Sequence, residues 1–266
     1  MAFSTAFLLA VITLVSAGLF AAKVWWMPEN ASVHGVGIDK HLILTMICCG
    51  VIFLLAQLSL AFLIWKRRGT AVQKVDYSHG SNKLEYIWTA ATFFFFFSLG
   101  LMGLPSWAEI RYTDAPEGAL QVEVTAQQFA WNFRFPGADG KFGPRHLELV
   151  DDAAANPLGL DFDHDTESQD DIVVPSLVIP VHQPVELLLR SKDVLHGFWV
   201  RELRLKQDLV PGLVIPIHFT ATKIGKYELM CAELCGMQHH EMRSFVEVVS
   251  AEDFEKWLEA RAAELY

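Results

Sequence analysis

Long uncharged runs alternate with short charged connections over the first part of the chain, and the pattern changes after residue 108. Residues 1–22 carry no charged side chain. Leu42–Trp65 is an uncharged run of twenty-four residues, and Tyr86–Ala108 is one of twenty-three. Each of the latter two exceeds the roughly 20 residues that a helix needs to cross hydrocarbon. They predict a two-helix membrane hairpin over residues 40–108. The first run, within residues 1–27, reads either as a third membrane helix or as a signal peptide with Ala21-Ala22 near the cut. It lacks a basic leading region and its first charge is Lys23, which favours a retained helix running from inside to outside.

After Leu104-Pro105-Ser106 the periodicity shortens. Gln121–Ala126 alternates and Phe129–Phe135 is rich in aromatics. Ile172–Ile179, Val185–Arg190, Gly197–Leu203, Leu213–Thr220, Tyr227–Cys231 and Ser244–Val249 follow, separated by Pro and Gly. Short strands in such number predict a β-sandwich or barrel over residues 109–266. Ala251–Leu265 reads as an amphipathic helix at the end. Residues 136–171 have the character of an insertion, with turns at Pro136-Gly137 and Asp139-Gly140. Its Asp161-Phe-Asp163-His-Asp165 resembles a calcium loop, but Thr166 stands where the tight-turn Gly belongs and no Glu closes the loop at the right distance. The segment is expected to be a solvated acidic loop.

Composition sharpens this division. Of 266 residues 52% are hydrophobic, and the excess lies in the first 108. Residues 1–108 hold seven Lys/Arg and four Asp/Glu; residues 109–266 hold fourteen and twenty-seven, a net of −13. An acidic head of this size argues against nucleic acid and for a basic partner. Lys66, Arg67, Arg68, Lys74 and Lys83 crowd the connection between the two hairpin runs. Cytoplasmic loops carry this excess, so the β domain belongs on the outer side, with Trp25, Trp26 and Trp107 at the outer interface. No Arg- and Ser-rich transit segment is visible, which points to a bacterial membrane.

The candidate chemistry is concentrated in Cys231-Ala-Glu233-Leu-Cys235-Gly-Met-Gln-His239-His240-Glu241-Met242. Thiolate and thioether ligands favour copper, zinc or iron–sulfur, and imidazole suits copper and zinc. Cys-x3-Cys is not the Cys-x2-Cys of a zinc ribbon, and no second pair is present to complete a four-cysteine site. A blue-copper centre uses one Cys, two His and a weak axial Met. The stretch has that chemistry with a second Cys, which suggests two copper ions bridged by two sulfurs and requires one more His from elsewhere. The alternative, a disulfide or two buried thiols beside a surface histidine, gives Met242 no part. Cys48 and Cys49 sit in an apolar run and are expected to be inert, so no disulfide framework is present.

From about residue 40 to its end the chain resembles subunit II of cytochrome c oxidase, whose binuclear copper loop reads Cys-x-Glu-x-Cys-x3-His-x2-Met. Asp193-Val194-Leu195-His196 matches the Val-Leu-His segment that supplies the family's remaining ligand. The resemblance implies a cupredoxin-like all-β Greek-key domain carrying a copper A centre. Cys231 and Cys235 would bridge both coppers, and His196 and His239 would each terminate one. Met242 and the backbone carbonyl of Glu233 would be weak ligands, and the Glu233 side chain would reach a magnesium ion at the boundary with subunit I. Glu85, in Glu85-Tyr-Ile-Trp88-Thr89, matches the family carboxylate at the cytoplasmic mouth of a proton channel. An intramembrane carboxylate is a functional candidate, although one at a helix start also suits the helix dipole.

The family's aromatic patch for the electron donor is typically Gln-Trp-x-Trp-x-Tyr. Here it is Gln128-Phe129-Ala130-Trp131-Asn132-Phe133, with Arg134 where an acidic residue is usual. With Phe129 in the place of the Trp, Trp131 is expected to carry more of the electron uptake. His240 is expected at the surface, and His182 and His218 as structural residues. The implied protein is a subunit of a haem–copper oxidase in a bacterial inner membrane. It would accept electrons from a cytochrome c or other basic donor and pass them to haem a in subunit I, with subunit III also in the complex. Oxygen reduction and proton pumping would then lie in the complex, and no haem on this chain, which has no Cys-x-x-Cys-His. Two rivals stand beside this reading: a quinol-oxidase subunit, which would lack the ligands, and the copper subunit of a nitric- or nitrous-oxide reductase.

Overall fold

The computed structural model describes residues 2–67 and 80–264, so Arg68 and Lys74 of the basic connection lie outside the described residues. Three apolar helices come first: α1 (Ala2–Ala21), α2 (Gly35–Lys66) and α3 (Asn82–Tyr112). All three are long and apolar enough to cross a membrane. α2 and α3 contain the two uncharged runs and extend past each by a few residues. Glu85 lies in the first turn of α3, exposed, and its backbone N–H bonds the carbonyl of Ser81.

The chain divides into two compact units. One comprises residues 1–27 and 37–105; the other comprises residues 28–36 and 106–266. The short Pro28–Val36 segment therefore belongs with the β domain. Ala31 donates to the carbonyl of Glu202 and accepts from Thr222 N–H, and the Ser32 hydroxyl donates to the carbonyl of Leu203 at 2.7 Å. Ala31 and Ser32 are fully buried by these contacts.

The β domain contains β1 (Leu120–Gln127), β2 (Ala130–Phe135), β3 (Ile172–Val174), β4 (Leu177–Pro180) and β5 (Pro184–Ser191). It continues with β6 (His196–Val200), β7 (Leu205–Leu209), β8 (Ile215–Thr220), β9 (Gly225–Cys231) and β10 (Arg243–Val249). They form two five-stranded sheets, in the orders β3-β2-β1-β5-β8 and β4-β10-β9-β6-β7. Within each sheet one pair is parallel, β1 with β5 and β10 with β4. The sheets share one core, in which Val122, Val124, Leu187 and Leu189 of the first meet Phe198, Leu229, Val246 and Val248 of the second. α4 (Ala251–Ala263) is capped by the Ser250 hydroxyl and lays Phe254 and Trp257 against Phe135. Three apolar helices and an all-β two-sheet domain are the expected class.

Two details differ from the expected strands. Ile172–Ile179 is not one strand: β3 and β4 lie at the edges of different sheets. The break falls at Pro175-Ser176, because Pro cannot donate to a ladder and the chain turns there to change sheets. β7, Leu205-Lys-Gln-Asp-Leu, is too polar to be read as a strand by pattern. It forms because it lies at a sheet edge beside β6, burying Leu205 and Leu209 and leaving Lys206 exposed and Gln207 and Asp208 half-buried.

The insertion is not simply solvated. Leu158, Leu160, Ser168 and Asp171 are buried within it. It packs on the outer face of the first sheet, which is why β1 buries Glu123 and Thr125 as well as its inward Val122, Val124 and Ala126. The anchor is a group of buried charges. The Arg134 guanidinium, 1% exposed, donates to Glu123, to Asp171 and to the carbonyl of Gly143. Arg145 donates to Glu123 and to the Thr125 hydroxyl, and Arg190 donates to Glu123 at 2.8 Å. Arg134 is thus an internal cation. Burial opposes the charge of Glu123, but the guanidiniums of Arg145, Arg134 and Arg190 outweigh it and hold the carboxyl below the usual range. Burial outweighs Arg134 at Asp171 and lifts that carboxyl to about 6.

Candidate metal centre

Strand pairing brings the two halves of the motif together. β6 and β9 are antiparallel with Phe198 opposite Cys231, which places His196, at the start of β6, beside the last residue of β9. The loop from Ala232 to Met242 then leaves the sheet and returns, closed at its base by Cys231 N–H on the carbonyl of Met242 at 3.1 Å. Ala232 N–H donates to the carbonyl of Gly197 at 2.9 Å, binding loop to strand. Gly197 permits this approach: a β-carbon there would lie 2.9 Å from the backbone carbon of Ala232. Gly236, with φ +137°, allows the loop to turn over Phe129, whose ring would be 3.0 Å from a β-carbon at that position.

The side chains converge. Cys231 Sγ and Cys235 Sγ are 3.8 Å apart, His196 Nδ1 is 3.9 Å from Cys231 Sγ, and His239 Nδ1 is 3.5 Å from Cys235 Sγ. Met242 Sδ lies 3.7 Å from Cys235 Sγ, and the Glu233 carbonyl oxygen 3.2 Å from Cys231 Sγ. All six donors named from the sequence therefore meet in one pocket. His196, Cys231, Cys235 and Met242 are buried, while Glu233 and His239 are half-buried. A soft, mixed donor set of this kind, with two thiols at its centre, fits copper or zinc and not magnesium or calcium.

Asp193 controls the orientation of His196. One carboxylate oxygen accepts from His196 Nε2 at 2.9 Å and from Val194 N–H at 2.7 Å; the other accepts from Gln128 N–H at 2.7 Å. With the proton held on Nε2, the lone pair of Nδ1 faces the thiols, which is the usual support for a metal-binding imidazole. Burial works against a charged His196, but the contacts with Cys231 and Asp193 outweigh it and raise its pKa. Burial also works against a Cys231 thiolate. The His196 contact, the Gly197 and Glu233 backbone groups and the neighbouring thiol outweigh it and bring Cys231 down to about 6. Burial, followed by the negative charge on Cys231, pushes Cys235 up to about 12. The pair thus holds one of its two protons far more tightly than the other.

The aromatic residues separate by depth. Trp131 is buried, its ring edge-on to His196 with centroids 6.4 Å apart and to Phe198 at 6.0 Å. Phe129 is half-buried against Gly236, in the turn between β1 and β2, and the Gln128 side chain donates to the carbonyl of Cys235 at 2.6 Å. Phe129 therefore lies nearer the surface than Trp131. Arg134, deep in the charge cluster, is not available to a docking partner. His240 is exposed, and His218 on β8 bonds the carbonyl and the hydroxyl of Thr113. His182 is exposed at a left-handed turn between β4 and β5. The residue that sequence reasoning passed over is Asp193. It was used only to recognise the Val-Leu-His segment, and its place three residues before His196 was the available signal.

The family signature described as the periplasmic domain of cytochrome c oxidase subunit II matches residues 120–249. The chain is 34% identical over 258 residues to the alternative cytochrome c oxidase subunit 2 of Bradyrhizobium diazoefficiens, covering 96% of this chain and 91% of that protein. It is 30% identical over 255 residues to cytochrome c oxidase subunit 2 of Thermostichus vulcanus, covering 87% and 77%. Among solved structures, the periplasmic domain of subunit II of the cytochrome oxidase of Bradyrhizobium japonicum aligns with a TM-score of 0.42 at 24% identity, over 57% of this chain and 100% of that one.

Proposed function

Because the chain belongs to the cytochrome c oxidase subunit II family, we propose that its pocket of two thiols, two imidazoles, a thioether and a carbonyl holds the binuclear copper A centre. The observation that carries this reading is the convergence of the six donors around a Cys231–Cys235 contact of 3.8 Å. When bound, the copper pair would supply reversible one-electron storage. The chain's own residues supply the rest. Cys231 and Cys235 would give up their protons and hold the metal as thiolates. His196, locked by Asp193, and His239 would hold it through Nδ1. Met242 Sδ and the Glu233 carbonyl would be weaker donors. His196 and Cys231 lie on paired strands of one sheet, and the loop that carries the other donors is tied to them by Cys231 N–H on the Met242 carbonyl and Ala232 N–H on the Gly197 carbonyl, which would limit movement on a change of charge.

In this reading the chain is a membrane-anchored subunit that transfers electrons and leaves the oxygen chemistry to subunit I. It takes electrons from a cytochrome c-type donor at Phe129 and Trp131 and delivers them to haem a. The membrane is the inner membrane of a bacterium, with the copper domain outside, and subunit III completes the complex. The Glu233 side chain serves a magnesium ion at the boundary with subunit I. Glu85 serves the mouth of a proton channel in that subunit, consistent with its exposed place in the first turn of α3.

The test is electron paramagnetic resonance of the full-length chain loaded with copper. One electron shared by two equivalent nuclei gives a seven-line hyperfine pattern, and two coppers per chain are expected. A four-line pattern with one metal per chain would overturn the reading. Cys231→Ser and Cys235→Ser should each abolish the binuclear signal, because a hydroxyl does not replace a bridging thiolate.

A further inference from the structure

The pocket is closed on most of its sides. Trp131 and Asp193 lie against His196, and Gln128 and Phe129 lie against the loop at Cys235 and Gly236. His196, Cys231, Cys235 and Met242 are buried, so His239 is the donor side chain that reaches solvent. An ion entering from solvent therefore meets His239 first. What surrounds His239 is set by the winding of the loop. His239 N–H donates to the carbonyl of Gly236 at 3.2 Å, Glu241 N–H to that of Gln238 at 2.9 Å and Met242 N–H to that of His239 at 3.2 Å. Bonds of this span give 3-10 winding, in which side chains three positions apart lie one above the other. His239 and Met242 make the inward row, 3.5 and 3.7 Å from Cys235 Sγ. Met237 and His240 make a second row, on the outside.

The outer row repeats the donor types of the inner one, a thioether and an imidazole. Met237 is 95% exposed and the His240 side chain 74% exposed. A thioether so exposed buries almost no apolar area, so packing does not account for it. The Glu241 carboxylate stands 3.5 Å from His240 Nε2 and adds negative charge beside the ring. A thioether with an imidazole is a soft donor pair of the kind that suits Cu(I). The pair is also close to the opening. His240 follows His239 directly, and two residues of chain span at most about 7 Å, so the flexible Met237 side chain can swing to the same mouth.

We propose that Met237 and His240 form a Cu(I) capture site at the mouth of the pocket, used while the pocket is being filled. This rests on the copper reading above and adds the route by which the metal enters. Met237 Sδ and the His240 imidazole bind the ion first. Those two bonds then break as bonds to Cys231 and Cys235 Sγ form within, and each thiol that binds passes its proton to water. Copper stays Cu(I) throughout, so the transfer consumes no oxidant or reductant. The advantage is one of effective concentration, because a captured ion meets the thiols again without a new diffusional search. A stop on the way changes the rate of filling and leaves the final copper content as it was.

The test is anaerobic filling of the full-length, metal-free chain from chelator-buffered Cu(I). Samples are oxidised with hexacyanoferrate(III) at intervals and read by electron paramagnetic resonance. Met237→Leu and His240→Gln should each slow filling about fivefold, and together on the order of tenfold, with unchanged final copper per chain and unchanged final spectrum. Leu keeps the apolar surface of Met237, so its effect reports the lost sulfur. Leu234→Ala, at an equally exposed position of the same loop, is the control and should fill at the wild-type rate. A direct readout uses methyl-13C methionine. In the Cys231→Ser/Cys235→Ser chain, which has no thiols to receive the ion, substoichiometric Cu(I) should shift the Met237 methyl resonance. Equal filling rates in wild type and both variants, an equal slowing in Leu234→Ala, or an unmoved Met237 resonance would each overturn the proposal. Failure of the copper reading would look different: the wild-type chain would give no binuclear signal however long it was filled.

Discussion

Asp193 and His196, three residues apart, are joined by a 2.9 Å hydrogen bond whose carboxylate also grips the amide of Gln128. The carboxyl that orients a proposed ligand therefore also fixes the turn at which the donor is proposed to dock. Burial opposes its charge, but His196 and the Gln128 and Val194 amides keep it ionised below the ordinary carboxylate range. Asp193→Ala should lower copper affinity about 10- to 100-fold, the usual consequence of removing a partner of a ligating imidazole. Competition with a copper chelator measures it. Asp193→Asn, which keeps an acceptor oxygen, should lose less. Equal affinity in all three proteins would show that strand β6 alone positions His196.

Met242→Leu should retain both coppers and shift the reduction potential. Met242 is buried and its sulfur lies 3.7 Å from Cys235 Sγ. Leu fills nearly the same volume, so the fold should lose no more than about 1.5 kcal/mol. A weak axial sulfur tunes a site more than it holds it. Metal analysis and potentiometry check both halves, and complete loss of copper would place Met242 among the ligands that hold the site together.

Arg134→Met should destabilise the β domain by about 3–5 kcal/mol at pH 8, because it leaves Asp171 buried without its guanidinium and Glu123 with only Arg145 and Arg190 of its three. The sign with pH follows from the carboxyls. Asp171 already sits near 6 with Arg134 present, since burial outweighs that contact; without the guanidinium it and Glu123 should both rise. The deficit belongs to the charged carboxylates, so it is full above their folded-state pKa values and shrinks as pH falls through them. In the wild type Glu123, held low, contributes stability above its ordinary pKa that is lost in acid, which narrows the gap further. Denaturant unfolding of both proteins at pH 8 and pH 5 should show the difference closing. A gap that widens at pH 5 would contradict the buried-charge account.

What the sequence made legible, and what it did not, follows the range of the interactions. The membrane helices could be read because the absence of charge over twenty residues is a local property. The six side chains and backbone groups that converge could be picked out because five of them lie within twelve residues and the sixth has a recognisable tripeptide. β7 escaped because a sheet edge tolerates Lys-Gln-Asp where a pattern demands alternation. The attachment of the insertion escaped for a stronger reason. Glu123, Arg134 and Asp171 are spread over forty-nine positions, and nothing near any of them marks it as buried. Arg134 looked like a surface substitution in a docking patch; only the fold shows it buried beneath the insertion.

The last expectation concerns how the electron reaches the site. From the aromatic pattern alone, Trp131 was expected to take over from the usual Trp position. The fold separates the two aromatics by depth: Phe129 lies half-buried against the loop at Gly236, and Trp131 is buried, edge-on to His196. A donor would touch Phe129, and Trp131 would lie between that contact and a proposed ligand. Phe129→Leu should then slow the second-order reduction by the donor while leaving the copper spectrum and potential unchanged. Trp131→Leu should slow the same reaction and also alter the spectrum, because it empties the space against which His196 packs. Trp131→Phe, which keeps an aromatic edge there, should recover most of both. Stopped-flow kinetics with spectra of each variant decide the matter. If Phe129→Leu is silent while Trp131→Leu slows transfer with an unaltered spectrum, the electron bypasses Phe129, and the donor must approach closer to His196 than the turn.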